Sequence, residues 1–230
     1  MVIKILGVSG SPRKDGNTDL MVREALRGAA QIPDVETDFV SLRGKLSPCI
    51  DCDKCPVSAD RFCAISDKMD EIYPKLVECD GMLIGAPTYF GTITAQMKCM
   101  MDRCRPLGRA GEKLAFKVGG ALTVGACRNG GQENALTDII EYFVLSGIFP
   151  VGLCNILQAG AVGLAFRKGK IEDDYWTPEF IPDSKVTAFS QSYDLGMRVA
   201  AIARMIKAGM AVENPHQFIS GWKMEKDKIK

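Results

Sequence analysis

Val2-Ile3-Lys4-Ile5-Leu6-Gly7-Val8 runs directly into Ser9-Gly10-Ser11-Pro12-Arg13-Lys14-Asp15-Gly16-Asn17-Thr18, and a helix-period segment, Asp19 to Ala30, follows. A short apolar run bounded by small and polar residues reads as a buried strand. The Gly/Ser-rich loop therefore lies between a strand end and a helix N-terminus, where free backbone N–H groups and the helix dipole attract an anion. Ser9, Ser11, Asn17 and Thr18 offer side-chain hydrogen bonds there, and Arg13 adds positive charge. The spacing is neither G-x-G-x-x-G nor G-x-x-x-x-G-K-[ST], so a monophosphate ester suits it better than a dinucleotide or a hydrolysed triphosphate. The plainer alternative is a turn whose polar residues only cap the helix.

Outward from this stretch the same alternation repeats. Apolar runs at Val35 to Leu42, Gly81 to Ala86, Phe116 to Val124 and Ile148 to Leu153 predict four more strands. Helix-period segments fall at Asp67 to Cys79, Thr94 to Cys104, Gln132 to Leu145 and Lys185 to Ala208, the last with Ser184 as its expected N-cap. Continuous apolar strands between amphipathic helices imply a parallel sheet covered on both faces. The expected fold is α/β: a doubly wound five-stranded parallel sheet in the flavodoxin-like order 2-1-3-4-5, with a cysteine-bearing insertion after strand 2. A chain of 230 residues suits one such domain, expected over 1–208, with long loops at 43–66 and 155–183 and a C-terminal tail at 209–230.

Lys and Arg number 29 against 28 Asp and Glu, so no overall field draws the protein to nucleic acid or to anionic lipid. No apolar run is long enough to span a membrane, and the N-terminal run lacks the pattern of an export signal. The expectation is a cytoplasmic protein. Nine cysteines, an odd number, in a chain of this size favour reduced thiols or metal ligands over a disulfide framework. His216 is the only histidine, and no Ser-His-acid arrangement can be built around it.

Two more loops occupy the same sheet edge as the first. Ala86-Pro87-Thr88-Tyr89-Phe90-Gly91 follows the third strand, and Gly125-Ala126-Cys127-Arg128-Asn129-Gly130-Gly131 follows the fourth. In the order 2-1-3-4-5 these loops meet at the switch point, where FMN is the expected ligand. Tyr89 and Phe90 supply aromatic surface for an isoalloxazine, and amides near Pro87, Thr88, Gly91, Gly125, Asn129 and Gly130 suit its polar edge, with Arg128 as a further binding residue. Taken singly, the aromatics also read as rim residues and the glycines as a turn before a helix.

Cys49, Cys52, Cys55 and Cys63 form C-x2-C-x2-C-x7-C. Closely spaced thiolates with one more from a nearby loop suit the corners of a 4Fe-4S cubane. Zinc on four thiolates, and free or redox-paired thiols, are the other readings. Cys79, Cys99, Cys104, Cys127 and Cys154 are scattered and read as small buried hydrophobes, Cys127 least securely because it lies in a loop.

The Gly10-Ser11-Pro12-Arg13 and Gly16-Asn17-Thr18 motifs, with Ala86 to Gly91 and Gly125 to Glu133, resemble the NADPH-dependent FMN reductase group of flavodoxin-like proteins. Within it the chain looks most like the archaeal and anaerobic bacterial iron-sulfur flavoproteins, which carry a compact cysteine motif at the same place, and Cys49, Cys52, Cys55 and Cys63 match those positions. The resemblance is close over about residues 1 to 155. It implies FMN, a homodimer or homotetramer, and electron transfer between FMN and a 4Fe-4S cluster. NAD(P)H, another small-molecule donor or acceptor, ferredoxin or another redox protein would be the partner. The protein positions and tunes such cofactors, so no dedicated catalytic acid or base is expected. A cluster-free NAD(P)H-dependent FMN or quinone reductase and a non-enzymatic flavin- or metal-binding redox sensor are the alternatives.

Overall fold

A computed structural model describes residues 1–58, 61–154, 158–167, 169–172, 186–213 and 215. Along the chain run β1 (Ile3–Ser9), α1 (Asn17–Ala29), β2 (Val35–Ser41), α2 (Met69–Glu78), β3 (Gly81–Pro87), α3 (Ala95–Asp102), α4 (Arg105–Arg109), β4 (Val118–Gly125), α5 (Gln132–Leu145), β5 (Phe149–Val151), β6 (Ala161–Arg167), β7 (Lys170–Glu172) and α6 (Ala188–Val212). β2, β1, β3 and β4 lie side by side and parallel, as the apolar runs predict.

Alternate residues of the central strands feed two cores. Leu6, Met82, Ile84 and Ala121 pack with α2, α3 and α5 through Met69, Ile72, Met97 and Phe143. Ile5, Leu83 and Leu122 pack on the other face with α1 and α6 through Met21, Val22, Leu195 and Val199. Every residue of β4 is buried, which explains why it reads as one continuous apolar run. Full burial of each Leu or Ile contributes about 1.5–3 kcal/mol, so the sheet is where the fold's stability is concentrated.

The fifth lane departs from a single strand. β5 pairs with Val118–Gly120 at the start of β4, and β6 pairs with Leu122–Gly125 at its end. β7 then returns antiparallel to β6. Part of the 155–183 stretch, expected as loop, is thus strand. Its glycines serve packing: a Cβ at Gly160 would stand 2.3 Å from the Ala121 carbonyl oxygen, and one at Gly163 would stand 2.8 Å from Met21 Sδ. They are small because the strand lies tight against its neighbours.

The remaining corrections concern helix ends. The helix expected over Thr94 to Cys104 is α3, and a further short helix, α4, not expected, follows it with Pro106 in its first turn. α6 starts at Ala188 with Thr187 as N-cap in a capping box with Ser190, and it continues to Val212, four residues into the expected tail. Ser184, His216 and most of 209–230 beyond that point lie outside the described residues.

α1 and α6 approach backbone to backbone. A Cβ at Gly196 would stand 1.8 Å from the Ala25 carbonyl oxygen, and one at Gly28 would stand 2.0 Å from that of Tyr193. Gly196→Ala is expected to lower stability by more than the roughly 1–3 kcal/mol of ordinary overpacking, read as a denaturant midpoint. Gly209→Ala, where nothing lies within 4 Å, is expected to be neutral or slightly stabilising in the same assay.

Candidate functional site

β1, β3 and β4 end at one edge of the sheet, and the three loops expected to bind a ligand leave from it. In the first, Ser9 is wholly buried and donates to Asp19 Oδ1 at 2.5 Å, while its oxygen accepts from the Ser11 N–H at 3.3 Å. Ser9 thus braces the loop from beneath. Ser11 Oγ accepts from the Arg13 N–H at 3.2 Å, forming a tight turn, and Arg13 itself is exposed. Asn17 Oδ1 accepts from the Gly169 N–H at 2.8 Å, which ties the loop to the turn between β6 and β7.

The capping alternative fails at this helix. The N-cap of α1 is Gly16, no side chain caps it, and Thr18 Oγ1 in the first turn is buried without a hydrogen-bond partner. Leaving a buried hydroxyl unmatched costs about 1–3 kcal/mol. An uncapped N-terminus with an orphaned hydroxyl suits a phosphate, which supplies acceptors and the negative charge the dipole favours. The FMN phosphate therefore fits the residues present.

The second loop is a tight reversal in which the Tyr89 and Thr92 backbones bond each other at 2.9 and 3.2 Å. Its two central residues, Phe90 and Gly91, both have positive φ, at 49° and 86°. An aromatic residue is uncommon in that region, and here the turn holds Phe90 fully in solvent with Tyr89 41% exposed beside it. Pro87 stands in register with Val124, and the Thr88 N–H donates to the Val124 carbonyl at 2.9 Å. In the third loop Gln132 is wholly buried, accepting from the Gly130 N–H at 2.9 Å and donating to the Cys127 carbonyl at 2.7 Å. Gly125 is small because a Cβ there would stand 2.3 Å from Gln132 Nε2. Arg128 and Asn129 are exposed at the tip.

The loops touch. A Cβ at Gly131, whose φ is 95°, would stand 2.4 Å from the Gly91 backbone, so the second and third loops meet there. Thr94, the N-cap of α3, donates to the Gly10 carbonyl at 2.7 Å and joins the first loop to the segment after β3. Asp19, Thr94 and Gln132 are the residues missed by the sequence reading. Only Asp19 carried a signal, as an acid in the first turn of a helix.

The cysteine segment begins at the same edge, where the Leu42 N–H donates to the Ser9 carbonyl at 2.8 Å. Cys49, Cys52, Cys55 and Cys63 all line one small cavity, together with Arg103. No group of three or more His, Cys, Asp or Glu side chains among the described residues is arranged to hold a single metal ion. The fit to an iron-sulfur cluster rests on the donor set: four reduced thiols around one cavity. Asp51 and Asp53, between the first three cysteines, have φ of 46° and 53°. Arg105 holds both at 2.7 and 3.1 Å, and Arg109 holds Asp53 at 2.8 Å, keeping the Asp53 carboxyl below its usual range. These exposed pairs pin the loop to α4 and contribute little stability.

Beneath the loop, Arg103 and Asp67 form an ion pair at 2.5 Å with side chains 0% and 1% exposed. Burial alone would raise the Asp67 carboxyl. The Arg103 guanidinium and the backbone N–H groups of Ser47 and Met69 outweigh it and bring it down.

The scattered cysteines divide. Cys79 and Cys104 are buried, and burial pushes both thiols up to about 11, as inert core residues should show. Cys99 is half-buried, whereas Cys127 and Cys154 are exposed, which corrects the expectation for those two. An open groove of about 980 Å³ between α3–α4 and α5 is lined by Thr92 of the second loop and by Arg105 beside the cysteines.

The family model described as NADPH-dependent FMN reductase matches residues 3–153. An iron-sulfur flavoprotein of Methanocaldococcus jannaschii is 41% identical over 207 residues, covering 89% of this chain and 100% of that protein. An iron-sulfur flavoprotein of Methanosarcina thermophila is 41% identical over 151 residues, covering 65% of this chain and 78% of that protein. Among solved structures, the flavodoxin-type WrbA-like protein of Agrobacterium tumefaciens aligns with a TM-score of 0.58 at 18% identity, over 88% of this chain and 98% of that one. RosB, with bound 8-demethyl-8-formylriboflavin-5'-phosphate, aligns with a TM-score of 0.66 at 16% identity, over 100% and 90%. At these identities the two structures bear on the fold. No helix among the described residues is long and apolar enough to cross a membrane.

The Gly91–Gly131 contact is directly testable. Gly131→Ala is expected to force the second and third loops apart and to weaken FMN binding at least tenfold, about 1.4 kcal/mol, in a fluorescence titration. The thermal midpoint should fall as well, because a side chain at φ 95° is strained and the backbone contact has to open.

Proposed function

The chain belongs to the iron-sulfur flavoproteins of the NADPH-dependent FMN reductase family, and from that premise we propose that it is a flavin-dependent oxidoreductase relaying electrons between FMN at the three-loop edge and a 4Fe-4S cluster on its four clustered cysteines. The observation that carries the FMN half is the uncapped N-terminus of α1 with the buried, unpartnered Thr18 hydroxyl. FMN when bound supplies one- and two-electron redox chemistry, and a 4Fe-4S cluster supplies single-electron transfer.

The chain's own residues hold and orient. Ser11, Asn17, Thr18 and the loop amides would bind the phosphate, with Arg13 balancing its charge and Ser9 keeping the loop in shape through Asp19. The reversal of Pro87, Thr88, Tyr89, Phe90 and Gly91 would present an aromatic face and backbone groups to the ring. Gly125, Arg128, Asn129 and Gly130, braced by Gln132, would close its other side. Cys49, Cys52, Cys55 and Cys63 would ligate the cluster, held by Arg105 and Arg109 through Asp51 and Asp53. No side chain is assigned as acid or base.

Membership in a redox flavoprotein family fits electron-transfer partners in general. We assign residues 1–212, to the end of α6, as the flavin-binding unit, a homodimer or homotetramer as the assembly, and NAD(P)H, ferredoxin or another redox protein as the exchanging partner.

Anaerobically purified protein is expected to show flavin absorbance over a broad iron-sulfur background, with iron and sulfide in near-equal amounts. Cys55→Ser should remove the iron and keep FMN. Thr18→Val should weaken FMN roughly 10- to 100-fold, the loss of one hydrogen bond to a charged group, and keep the iron. Zinc without iron, or iron-free protein whose flavin is bleached by NADPH, would contradict the relay and favour the cluster-free reductase.

A further inference from the structure

One buried side chain closes the cysteine loop at its base. Arg103, just past the C-terminal end of α3, donates through Nη1 to the Ser47 carbonyl at 3.2 Å and to Asp67 Oδ2 at 2.5 Å, and through Nη2 to the Ile65 carbonyl at 3.0 Å. Asp67 also accepts from the Ser47 N–H at 2.8 Å. Ser47 and Ile65 flank the whole cysteine motif, so a single guanidinium ties its two ends together. The Arg103 carbonyl in turn accepts from the buried Tyr73 hydroxyl at 2.7 Å, which fixes the residue from the other side.

Not every donor is spent. Arg103 Nε is buried with no hydrogen-bond partner, and Arg103 lines the same cavity as all four cysteines. Cys63 lines that cavity with Arg103 and stands just before Ile65 and Asp67, both of which the guanidinium holds. Only a planar, permanently charged fork can meet two carbonyls and a carboxylate and still have an N–H to spare; a lysine ammonium, with three donors, has none left.

We infer that Arg103 is a positioning residue of the four-cysteine site, which fixes the separation of the loop ends and keeps its unpaired Nε–H and its charge at the cavity the cysteines line, so that it raises the reduction potential of a cluster held there. This rests on the reading that these cysteines ligate an iron-sulfur cluster. Reduction adds one electron to a site already made negative by thiolates, and a hydrogen bond to a ligand sulfur together with a nearby positive charge favours that form. Asp67 partly offsets the charge.

The test is a spectroelectrochemical titration of anaerobic holoprotein in three variants, with FMN content as the control for folding. Arg103→Lys keeps the charge and loses Nε–H, so the cluster midpoint should fall. Arg103→Gln loses both and should fall further. Asp67→Asn removes the offsetting charge and should raise the midpoint above that of the unmodified protein. A purely structural role would reduce iron content without ordering the midpoints on both sides of the starting value. Midpoints that stay unchanged, or shift in one common direction, in variants retaining iron and FMN would overturn the inference. If the Arg103 variants keep FMN but fail to load iron, Asp67→Asn decides alone, and a fall or no change there overturns it as well. Unmodified protein without iron and sulfide would instead overturn the four-cysteine reading beneath it.

Discussion

A parallel sheet covered on both faces leaves only its edge for chemistry. The parallel pairing of β1 to β4 forces the connections between them to cross over the sheet, so their C-termini and the helix N-termini that follow gather at one rim. Unsatisfied backbone N–H groups gather there with them. The fold therefore makes a site for an anionic, planar ligand before any side chain is chosen. Side chains then decide what is left open: no side chain caps α1 or α5, whereas Thr94 caps α3 and spends its hydroxyl proton on Gly10.

α3 connects the two halves of the candidate centre. Its N-cap, Thr94, reaches the phosphate-type loop, and Arg103 just beyond its last turn reaches the base of the cysteine loop. A helix of eight residues spans about 12 Å, a distance that a rigid element can hold constant. Met97, Met100 and Met101 anchor that helix in the core, so both loops are referred to one packed frame.

Much of this was legible in the residues, and the failures have physical causes. Strands β1 to β4 fall within a residue or two of expectation: β1, β3 and β4 because buried central strands are apolar nearly throughout, and the edge strand β2, with Glu36, Thr37 and Asp38 exposed, through Val35, Phe39, Val40 and Leu42. The three ligand loops were found because Gly, Ser and Pro punctuate strand ends. β6 falls in a stretch expected as loop because Gly160 and Gly163 are packing glycines, whose neighbours Ala121 and Met21 are distant in sequence and leave no local pattern. Thr187 was passed over as an N-cap for a similar reason: its partner Ser190 is a capping-box residue less familiar than Glu or Gln. Arg103 and Asp67 were invisible, since a pair 36 residues apart announces itself only once both side chains are buried together. Gln132 stands at the expected start of a helix, and only its burial and its bonds to Gly130 and Cys127 show that it holds the third loop.

The claim on which everything else stands is that the rim recognises a phosphate as well as a ring. Comparison of the Kd for FMN with that for riboflavin, on cofactor-stripped protein, tests it most directly. The account predicts that FMN binds at least about a hundredfold more tightly, the equivalent of two or more charge-assisted hydrogen bonds to the phosphate. Equal affinities would mean that the uncapped end of α1 and the Thr18 hydroxyl take no part, and would contradict it.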